Sequence, residues 1–130
     1  MSGINLLIFF NYFNLFFMKI TKAITIAKKA ALNSNAKFRV GAVLFFNDTY
    51  VFGFNRNFNV KHVNRQKPFS IHAEEMCIIK ANRIMNFDFE NSTLVIVRIN
   101  KKSDLLLCTP CKYCQGMIHK FGIGTIYFSV

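Results

Sequence analysis

The chain has 130 residues, 52% of them hydrophobic, which is enough for one compact domain with a substantial core and too few for two domains. This composition argues against a chain that is disordered as a whole. With 17 basic and 6 acidic residues the formal net charge is +11. This charge suits an anionic partner such as a nucleotide phosphate or a nucleic acid. A Lys-rich solvated surface produced by codon bias explains the same charge equally well.

Residues 2–18 carry no charge and consist mainly of Ile, Leu, Phe and three interrupting asparagines. The segment is barely long enough to cross a bilayer, and each asparagine would be costly in hydrocarbon. It has neither a basic leader nor a small-residue cleavage site, which argues against a signal peptide. A membrane anchor, an additional packed element and an upstream extension with Met18 as the working start remain open. We expect no membrane association, and we interpret residues 1–18 as an apolar extension of a single domain over residues 19–130.

The first predicted element is an amphipathic helix over residues 20–32, which ends at the asparagines that follow. Its apolar face consists of Ile20, Ala23, Ile24, Ala27 and Ala31. Two β-rich runs come next, at residues 39–46 and 50–54, and the Asn47-Asp48 pair between them predicts a hairpin turn. Residues 55–70 are polar and basic, so we expect a loop there.

Helical spacing returns over residues 72–86. The predicted inward face of this helix consists of Ala73, Met76, Cys77, Ile84 and Met85. A strand is predicted for residues 93–99, a third helix for residues 111–121 with Gly122 as its C-terminal cap, and a last strand for residues 123–130. The order is therefore α-β-β-α-β-α-β, which predicts an α/β fold with helices packed on the faces of a sheet.

Two short segments carry the residues suited to metal chemistry, Ser70-Ile71-His72-Ala73-Glu74-Glu75 and Thr109-Pro110-Cys111-Lys112-Tyr113-Cys114. Both lie at the N-terminus of a predicted helix, so the histidine and the two cysteines can converge at one end of the sheet. One imidazole and two thiolates leave the fourth tetrahedral position of a zinc ion open for water, as in catalytic zinc sites. The positive ends of the helix dipoles favour the thiolate forms. Four clustered cysteines indicate a reducing compartment, and we expect the cytoplasm, rather than a disulfide framework.

Glu74 lies two residues after the histidine, close to the expected metal without needing to bind it. Because zinc lowers the pKa of its bound water to about 7, a nearby carboxylate can take a proton from that water. The same carboxylate can then deliver the proton to a ring nitrogen and a departing amine. A His-x-Glu segment followed by Pro-Cys-x-x-Cys is the signature of the zinc nucleobase deaminases.

Two other interpretations of the Cys-x-x-Cys pair are a redox dithiol and half of a closed structural zinc site, with Cys108 or His119 as the fourth ligand. A redox pair would use neither the histidine nor the glutamate, and a closed site would not need the glutamate. We interpret Cys77 and Cys108 as packing residues. Glu75 is interpreted as a solvated carboxylate at a helix start, and His62 and His119 as surface residues.

On these motifs the sequence resembles the cytidine and deoxycytidylate deaminase superfamily, which includes tRNA adenosine deaminases and polynucleotide cytosine editors. The resemblance covers about residues 20–130. Residues 40–44 are similar to the first strand of the family, and residues 116–123 to the segment that leads into the fourth. Membership implies a three-layer α/β/α cytidine-deaminase-like fold with a mixed sheet. The usual C-terminal helix and fifth strand have no counterpart here, so we expect a sheet that is short at the C-terminus.

The resemblance also implies roles for individual residues. The zinc ligands of the family match His72, Cys111 and Cys114, and its proton-shuttling glutamate matches Glu74. The family asparagine that contacts the substrate sugar matches Asn55. Ala73, inside the matched His-Ala-Glu segment, is likewise expected at the substrate. Arg65 and Lys67, in the basic loop that leads toward the histidine, are predicted to hold a substrate phosphate.

Histidine as the first ligand makes the chain less similar to the small tetrameric enzymes that act on free cytidine. The deoxycytidylate and polynucleotide branches of the family share this histidine. Our leading hypothesis is zinc-dependent hydrolytic deamination of cytosine to uracil on a nucleotide such as deoxycytidylate. The alternative is a polynucleotide deaminase that acts on cytosine or adenine in tRNA or single-stranded DNA, and a third is a zinc-stabilised binding module without activity. An exposed sheet edge and the apolar N-terminus predict a homo-oligomer.

Overall fold

The computed structural model describes residues 19–58 and 69–130. Its elements, in chain order, are α1 (residues 19–31), β1 (Arg39–Phe46), β2 (Thr49–Phe54), β3 (Arg56–Phe58), β4 (Phe69–Ile71), α2 (Ala73–Asn82), β5 (Thr93–Ile99), β6 (Leu105–Leu106), α3 (Lys112–Phe121) and β7 (Thr125–Phe128). The predicted order α-β-β-α-β-α-β is confirmed, with β3, β4 and β6 as short additions. The predicted apolar extension lies outside the described residues.

One mixed sheet organises the fold. β1 lies between β2 and β5 and is antiparallel to both, while the opposite edge of β5 pairs with β7 in parallel and with β6 antiparallel. The parallel pair is connected through α3, as a parallel pair requires a crossover. Six of the seven residues of β5 are buried, which explains why its sequence is a continuous apolar run rather than an alternating one.

The two faces of the sheet are covered by different helices. Side chains of a strand alternate between faces, so Leu94 and Ile96 pack in a cluster with residues of α2 and α3. Val95 and Val97 pack on the other face with the alanines of α1. The three-layer α/β/α arrangement is therefore confirmed, and it places the N-termini of α2 and α3 on one side of the sheet.

Local backbone geometry agrees with the predicted turns and caps. Asn47 has a φ of 52°, the left-handed conformation that the hairpin between β1 and β2 requires. Gly122 caps α3 with a φ of 71°, and its N–H donates to the carbonyl oxygens of Ile118 and His119. Asn47 therefore follows directly on the end of β1, and Gly122 on the end of α3.

Two local predictions are wrong. Residues 55–70 are not a loop throughout, because β3 and β4 pair as an antiparallel ribbon with the rings of Phe58 and Phe69 stacked at 4.7 Å. The second helix ends at Asn82 rather than at residue 86, and Met85, expected to face inward, is 88% exposed. The chain turns after Asn82 and Asn86 has a φ of 62°, so the helical register no longer holds at Met85.

Within the two described stretches, none of the helices has the length and apolar character needed to cross a membrane.

Candidate metal and catalytic site

The first half of the site is the junction between β4 and α2. His72 is the N-cap of α2, with an extended backbone (φ −84°, ψ 155°), and its N–H donates to Oε1 of Glu75 at 3.4 Å. The start of α2 lies close on the sheet because β2 has a glycine beneath it. A Cβ at Gly53 would be 2.5 Å from the carbonyl oxygen of Ala73. The histidine is therefore held at a helix start that packs directly on the sheet.

The second half of the site is the start of α3. Cys111 is the N-cap, and its Sγ accepts a hydrogen bond from the N–H of Cys114 at 3.5 Å. Gln115 donates from Nε2 to the carbonyl oxygen of Pro110 at 2.8 Å, which fixes the approach to the helix. Cys114 is fully buried, whereas Cys111 is exposed. Both sulfurs thus lie at the positive end of the helix dipole.

The three predicted ligands meet. Nδ1 of His72 is 3.6 Å from Sγ of Cys111 and 3.3 Å from Sγ of Cys114, and all three atoms lie within 4.8 Å of one another. One imidazole nitrogen and two thiolates are a donor set that fits zinc. Among the described residues this group contains no fourth His, Cys, Asp or Glu, so neither Cys108 nor His119 closes the site.

Burial and a neighbouring carboxylate determine the protonation state of Cys114. Burial raises the pKa of the Cys114 thiol far above its usual range, and the Glu74 carboxylate, which hydrogen-bonds to this thiol, raises it further. Without a bound cation Cys114 is therefore a thiol, and metal binding must displace its proton. The prediction that the helix start favours the thiolate is wrong at Cys114, because burial and the Glu74 carboxylate outweigh the helix dipole. Burial and the same carboxylate raise the pKa of Cys108 to about 11, so this thiol stays protonated at neutral pH.

Glu74 occupies the first turn of α2 and is only 5% exposed. Its carboxylate lies beside the Cys114 thiol but is not part of the three-ligand group. A buried carboxylate next to the expected metal, and not used as a ligand, has the placement that a proton carrier needs.

A cavity of about 230 Å³ opens onto these residues. Its lining comprises Val40, Asn55, Asn57, Ser70, Ile71, His72, Ala73, Glu74, Cys108, Thr109 and Cys111. The volume is below the range of about 300–1,000 Å³ typical of pockets for drug-sized ligands, which suits a single base. The β3–β4 ribbon, not predicted from the sequence, supplies part of the wall through Asn57 and Ser70.

The other predicted substrate contacts are placed as follows. Asn55 lines the cavity, but its Oδ1 accepts from the N–H of Val40 at 2.9 Å and from the hydroxyl of Ser34 at 2.6 Å, and its Nδ2 donates to the carbonyl oxygen of Phe38 at 2.6 Å. Ala73 also lines the cavity and is fully buried. Arg65 and Lys67 lie outside the described residues.

The remaining cysteines and His119 differ in their burial. Cys77 is fully buried in the core, and Cys108 packs against the same cluster, so both packing predictions are confirmed. His119 is exposed as expected, and His62 lies outside the described residues.

The interpretation of Glu75 as a solvated carboxylate is wrong. It is half-buried, accepts from the N–H of His72, and accepts from the hydroxyl of Tyr113 at 2.7 Å. This hydrogen bond to the carboxylate raises the pKa of Tyr113. The ring of Tyr113 lies 5.9 Å from the imidazole of His72, centre to centre. Nothing in the sequence signals this contact, because it joins two helices that are distant in the chain.

Comparison with known proteins finds one matching family model and similar structures of cytidine and dCMP deaminases. The family model described as the cytidine and deoxycytidylate deaminase zinc-binding region matches residues 17–130. The dCMP deaminase from the cyanophage S-TIM5 in its apo form has a TM-score of 0.66 and 24% identity, over 85% of this chain and 82% of that chain. The same phage enzyme in complex with dCMP and dUMP has a TM-score of 0.60 and 20% identity, over 88% and 80% of the two chains. Cytidine deaminase from Burkholderia pseudomallei has a TM-score of 0.61 and 21% identity, over 83% and 80%. A comparison with curated protein sequences gives no significant match.

Proposed function

Because this chain belongs to the cytidine and deoxycytidylate deaminase zinc-binding family, we propose that it deaminates the cytosine of a phosphorylated nucleoside such as deoxycytidylate. The chain is a zinc-dependent hydrolase, and the family reaction is zinc-dependent deamination of a cytosine base. The observation that carries the proposal is the meeting of the His72, Cys111 and Cys114 donor atoms within 4.8 Å of one another, beside a cavity that Glu74 also lines.

His72, Cys111 and Cys114 would hold the zinc ion. When bound, zinc supplies Lewis acidity and lowers the pKa of its water to about 7. Glu74 takes a proton from the attacking water as oxygen bonds to C4 of the base, and gives that proton to the adjacent ring nitrogen. It then carries the remaining proton of that water, now on the oxygen bonded to C4, to the amino group, so that the bond between C4 and the amino nitrogen breaks and ammonia leaves.

The walls of the cavity are proposed to position the base. Ala73 has no polar side chain and is buried next to the histidine, so its contact with the base is through apolar surface and backbone. Asn55 is held in place by its bonds to Phe38 and Val40, and we propose that the amide so fixed faces the sugar.

The phosphate is assigned to the basic segment between β3 and β4. Neutralising Arg65 and Lys67 together should raise KM for deoxycytidylate and leave KM for free deoxycytidine unchanged, because only the nucleotide carries the anion. An equal rise for both substrates would contradict this assignment. The matched control is neutralisation of Lys28 and Lys29 of α1, which removes the same charge from the helix that packs on the face of the sheet opposite α2.

A second candidate function is deamination within a polynucleotide, and one surface favours it. Four cationic side chains, Lys37, Arg39, Arg98 and Lys101, line a depression around Phe38, which is 55% exposed. The described residues offer none of the four an ion pair within 4.0 Å. Basic and aromatic side chains together are typical of surfaces that bind single strands. The carbonyl oxygen of Phe38 accepts a bond from Asn55, so this surface adjoins the cavity.

Ammonia release from cytidine, deoxycytidine, deoxycytidylate and a single-stranded oligonucleotide with one cytosine tests both candidates. We expect the highest kcat/KM for deoxycytidylate, with a weak dependence on salt. A preference for the oligonucleotide that is lost steeply with added salt would establish the second candidate instead. An oligonucleotide with one adenine determines whether the base is cytosine or adenine.

Self-association is also proposed. The outer strand β7 has two exposed aromatic residues, Tyr127 and Phe128, and strands at the edge of a sheet can pair with a second copy. Sedimentation velocity should show a species heavier than 15.0 kDa. A monomer at all concentrations would contradict it.

A further inference from the structure

A chain of side-chain and backbone contacts joins the two halves of the metal site. Tyr113 lies between the two cysteine ligands in the first turn of α3, and its hydroxyl donates to Oε2 of Glu75 in the first turn of α2 at 2.7 Å. The other oxygen of this carboxylate, Oε1, accepts from the N–H of His72 at 3.4 Å. The carboxylate therefore contacts the cysteine helix with one oxygen and the histidine backbone with the other.

The chain of contacts from Tyr113 through Glu75 to the backbone of His72 forms a bridge between the two helix starts. This bridge does not use the atoms that are expected to bind the metal. Among the described residues, the other polar contacts between the starts of α2 and α3 are made by the cysteine sulfurs, which approach Nδ1 of His72 and the carboxylate of Glu74. Those contacts are rearranged when a metal binds, because the sulfurs and Nδ1 of His72 then direct their lone pairs at the ion instead of at one another. The Tyr113–Glu75 hydrogen bond can persist in both states.

We propose that Tyr113 and Glu75 are positioning residues that hold the two helix starts at the separation zinc requires, before and after the ion binds. If the two segments were free to separate, metal binding would have to order them at a cost in entropy. A bridge present beforehand lowers this cost and slows the separation of the ligands that releases the ion. The proposal depends only on the zinc site and not on the identity of the substrate.

The bridge is placed so that its loss affects the metal site more than the fold. Tyr113 is 58% exposed and Glu75 is half-buried, whereas the core beneath them is formed by residues such as Cys77 and Ile118. Replacing Tyr113 by phenylalanine keeps the ring beside the imidazole and removes only the hydroxyl. Substitution of a residue that supports a metal ligand typically lowers the affinity for the metal by about 10- to 100-fold. For a solvent-exposed bridge we expect an effect at the lower end of this range.

The test is the rate at which the zinc-loaded full chain releases its metal to an excess of a chromophoric chelator. We expect Tyr113→Phe to release zinc about tenfold faster than the wild type. Tyr50→Phe is the matched control, because Tyr50 is a 48% exposed tyrosine on β2 and lies outside the site. It should release zinc at the wild-type rate. Equal rates for Tyr113→Phe and the wild type overturn the proposal.

A double-mutant cycle shows whether the tyrosine acts through the glutamate. Glu75→Ala should accelerate zinc release at least as much as Tyr113→Phe, and adding Tyr113→Phe to Glu75→Ala should change nothing further. Glu75→Gln retains an acceptor oxygen for the hydroxyl and should restore part of the wild-type rate. Additive effects in the cycle overturn the proposal, since the two residues would then act separately.

Two further readouts separate positioning from general destabilisation and from substrate binding. The thermal unfolding temperature of the metal-free proteins should be the same for Tyr113→Phe and Tyr50→Phe. In the Co²⁺-loaded protein, the visible absorption bands that report tetrahedral coordination should shift for Tyr113→Phe and not for the control. Faster release that is matched by an equally large loss of stability without metal overturns the positioning role. Because no readout uses a substrate, these results do not depend on the proposed deamination.

Discussion

Gly53 should control the geometry of the active site although it is not part of it. A Cβ at this position would be 2.5 Å from the carbonyl oxygen of Ala73 and 3.1 Å from the backbone nitrogen of Cys77. Real Cβ atoms essentially never approach closer than 3.0 Å, and ordinary contact begins at 3.4 Å. The first turn of α2 must therefore move away from the sheet by about 0.5 to 0.9 Å, a range in which misplaced catalytic groups cost up to about 100-fold in rate.

Gly53→Ala should lower kcat/KM for the best substrate by about 10- to 100-fold, because His72 and Glu74 move with the turn. The crowding should also lower the free energy of unfolding by about 1–3 kcal/mol. The assay is ammonia release with zinc content measured on the same samples, together with urea denaturation. Gly116→Ala in α3 is the matched control, since a Cβ there has no atom within 4 Å. It should keep wild-type activity and gain a few tenths to about 1 kcal/mol of helix stability. Wild-type kcat/KM in Gly53→Ala would refute the reasoning.

Three further predictions concern zinc, the proton carrier and the cap of α3. The Cys114 pKa is raised, so its thiol is protonated in the metal-free protein, and zinc must displace at least this proton. The apparent Kd should therefore rise by at least about tenfold for each unit of pH lowered, and a pH-independent Kd would exclude the thiol as a ligand. Glu74→Ala should keep one zinc per chain and lose at least about 100-fold in kcat, whereas retained turnover would leave the glutamate without a role in proton transfer. Gly122→Ala places a side chain at a φ of 71° and should cost about 1 kcal/mol in urea denaturation, with no change if the left-handed cap is not required.

The parts of the fold that were predicted correctly are those in which local pattern and tertiary environment agree. β5 was predicted at residues 93–99 because strong β-formers coincide there with burial on both faces of a sheet. The cap at Gly122 was predicted because a glycine that follows a helical pattern has one favoured role. The Asn47-Asp48 turn belongs to the same class, since its residue types tolerate positive φ.

The errors occurred where pairing partners are distant or the pattern is short. β3 and β4 have three residues each, so neither shows a periodicity, and their pairing joins segments that are separated by ten residues of the chain. The end of α2 was placed too late because Ile84 and Met85 continue an apolar pattern past the point where the backbone turns. A short run of apolar residues is weak evidence for helix continuation.

The candidate site likewise contains some residues that the sequence predicts and others that it does not. His72, Cys111 and Cys114 were identifiable because each motif fixes a ligand at a helix start, and the fold brings equivalent helix ends together. The bridge between Tyr113 and Glu75 could not be predicted, since it depends on the distance between two helices. Residue type and spacing therefore predict the donor atoms that the fold brings together, whereas the hydrogen bond between the two helix starts emerges only from the packing.

X-ray absorption at the zinc edge tests the central claim most directly, since it counts the atoms around the ion in the loaded protein. We expect two sulfur atoms at about 2.3 Å and two nitrogen or oxygen atoms at about 2.0–2.1 Å, one from the imidazole and one from solvent. In Cys111→Ser the fit should retain a single sulfur. Three or four sulfur atoms in the wild type would mean that another cysteine seals the site, and would contradict the assignment of a catalytic zinc with an open position.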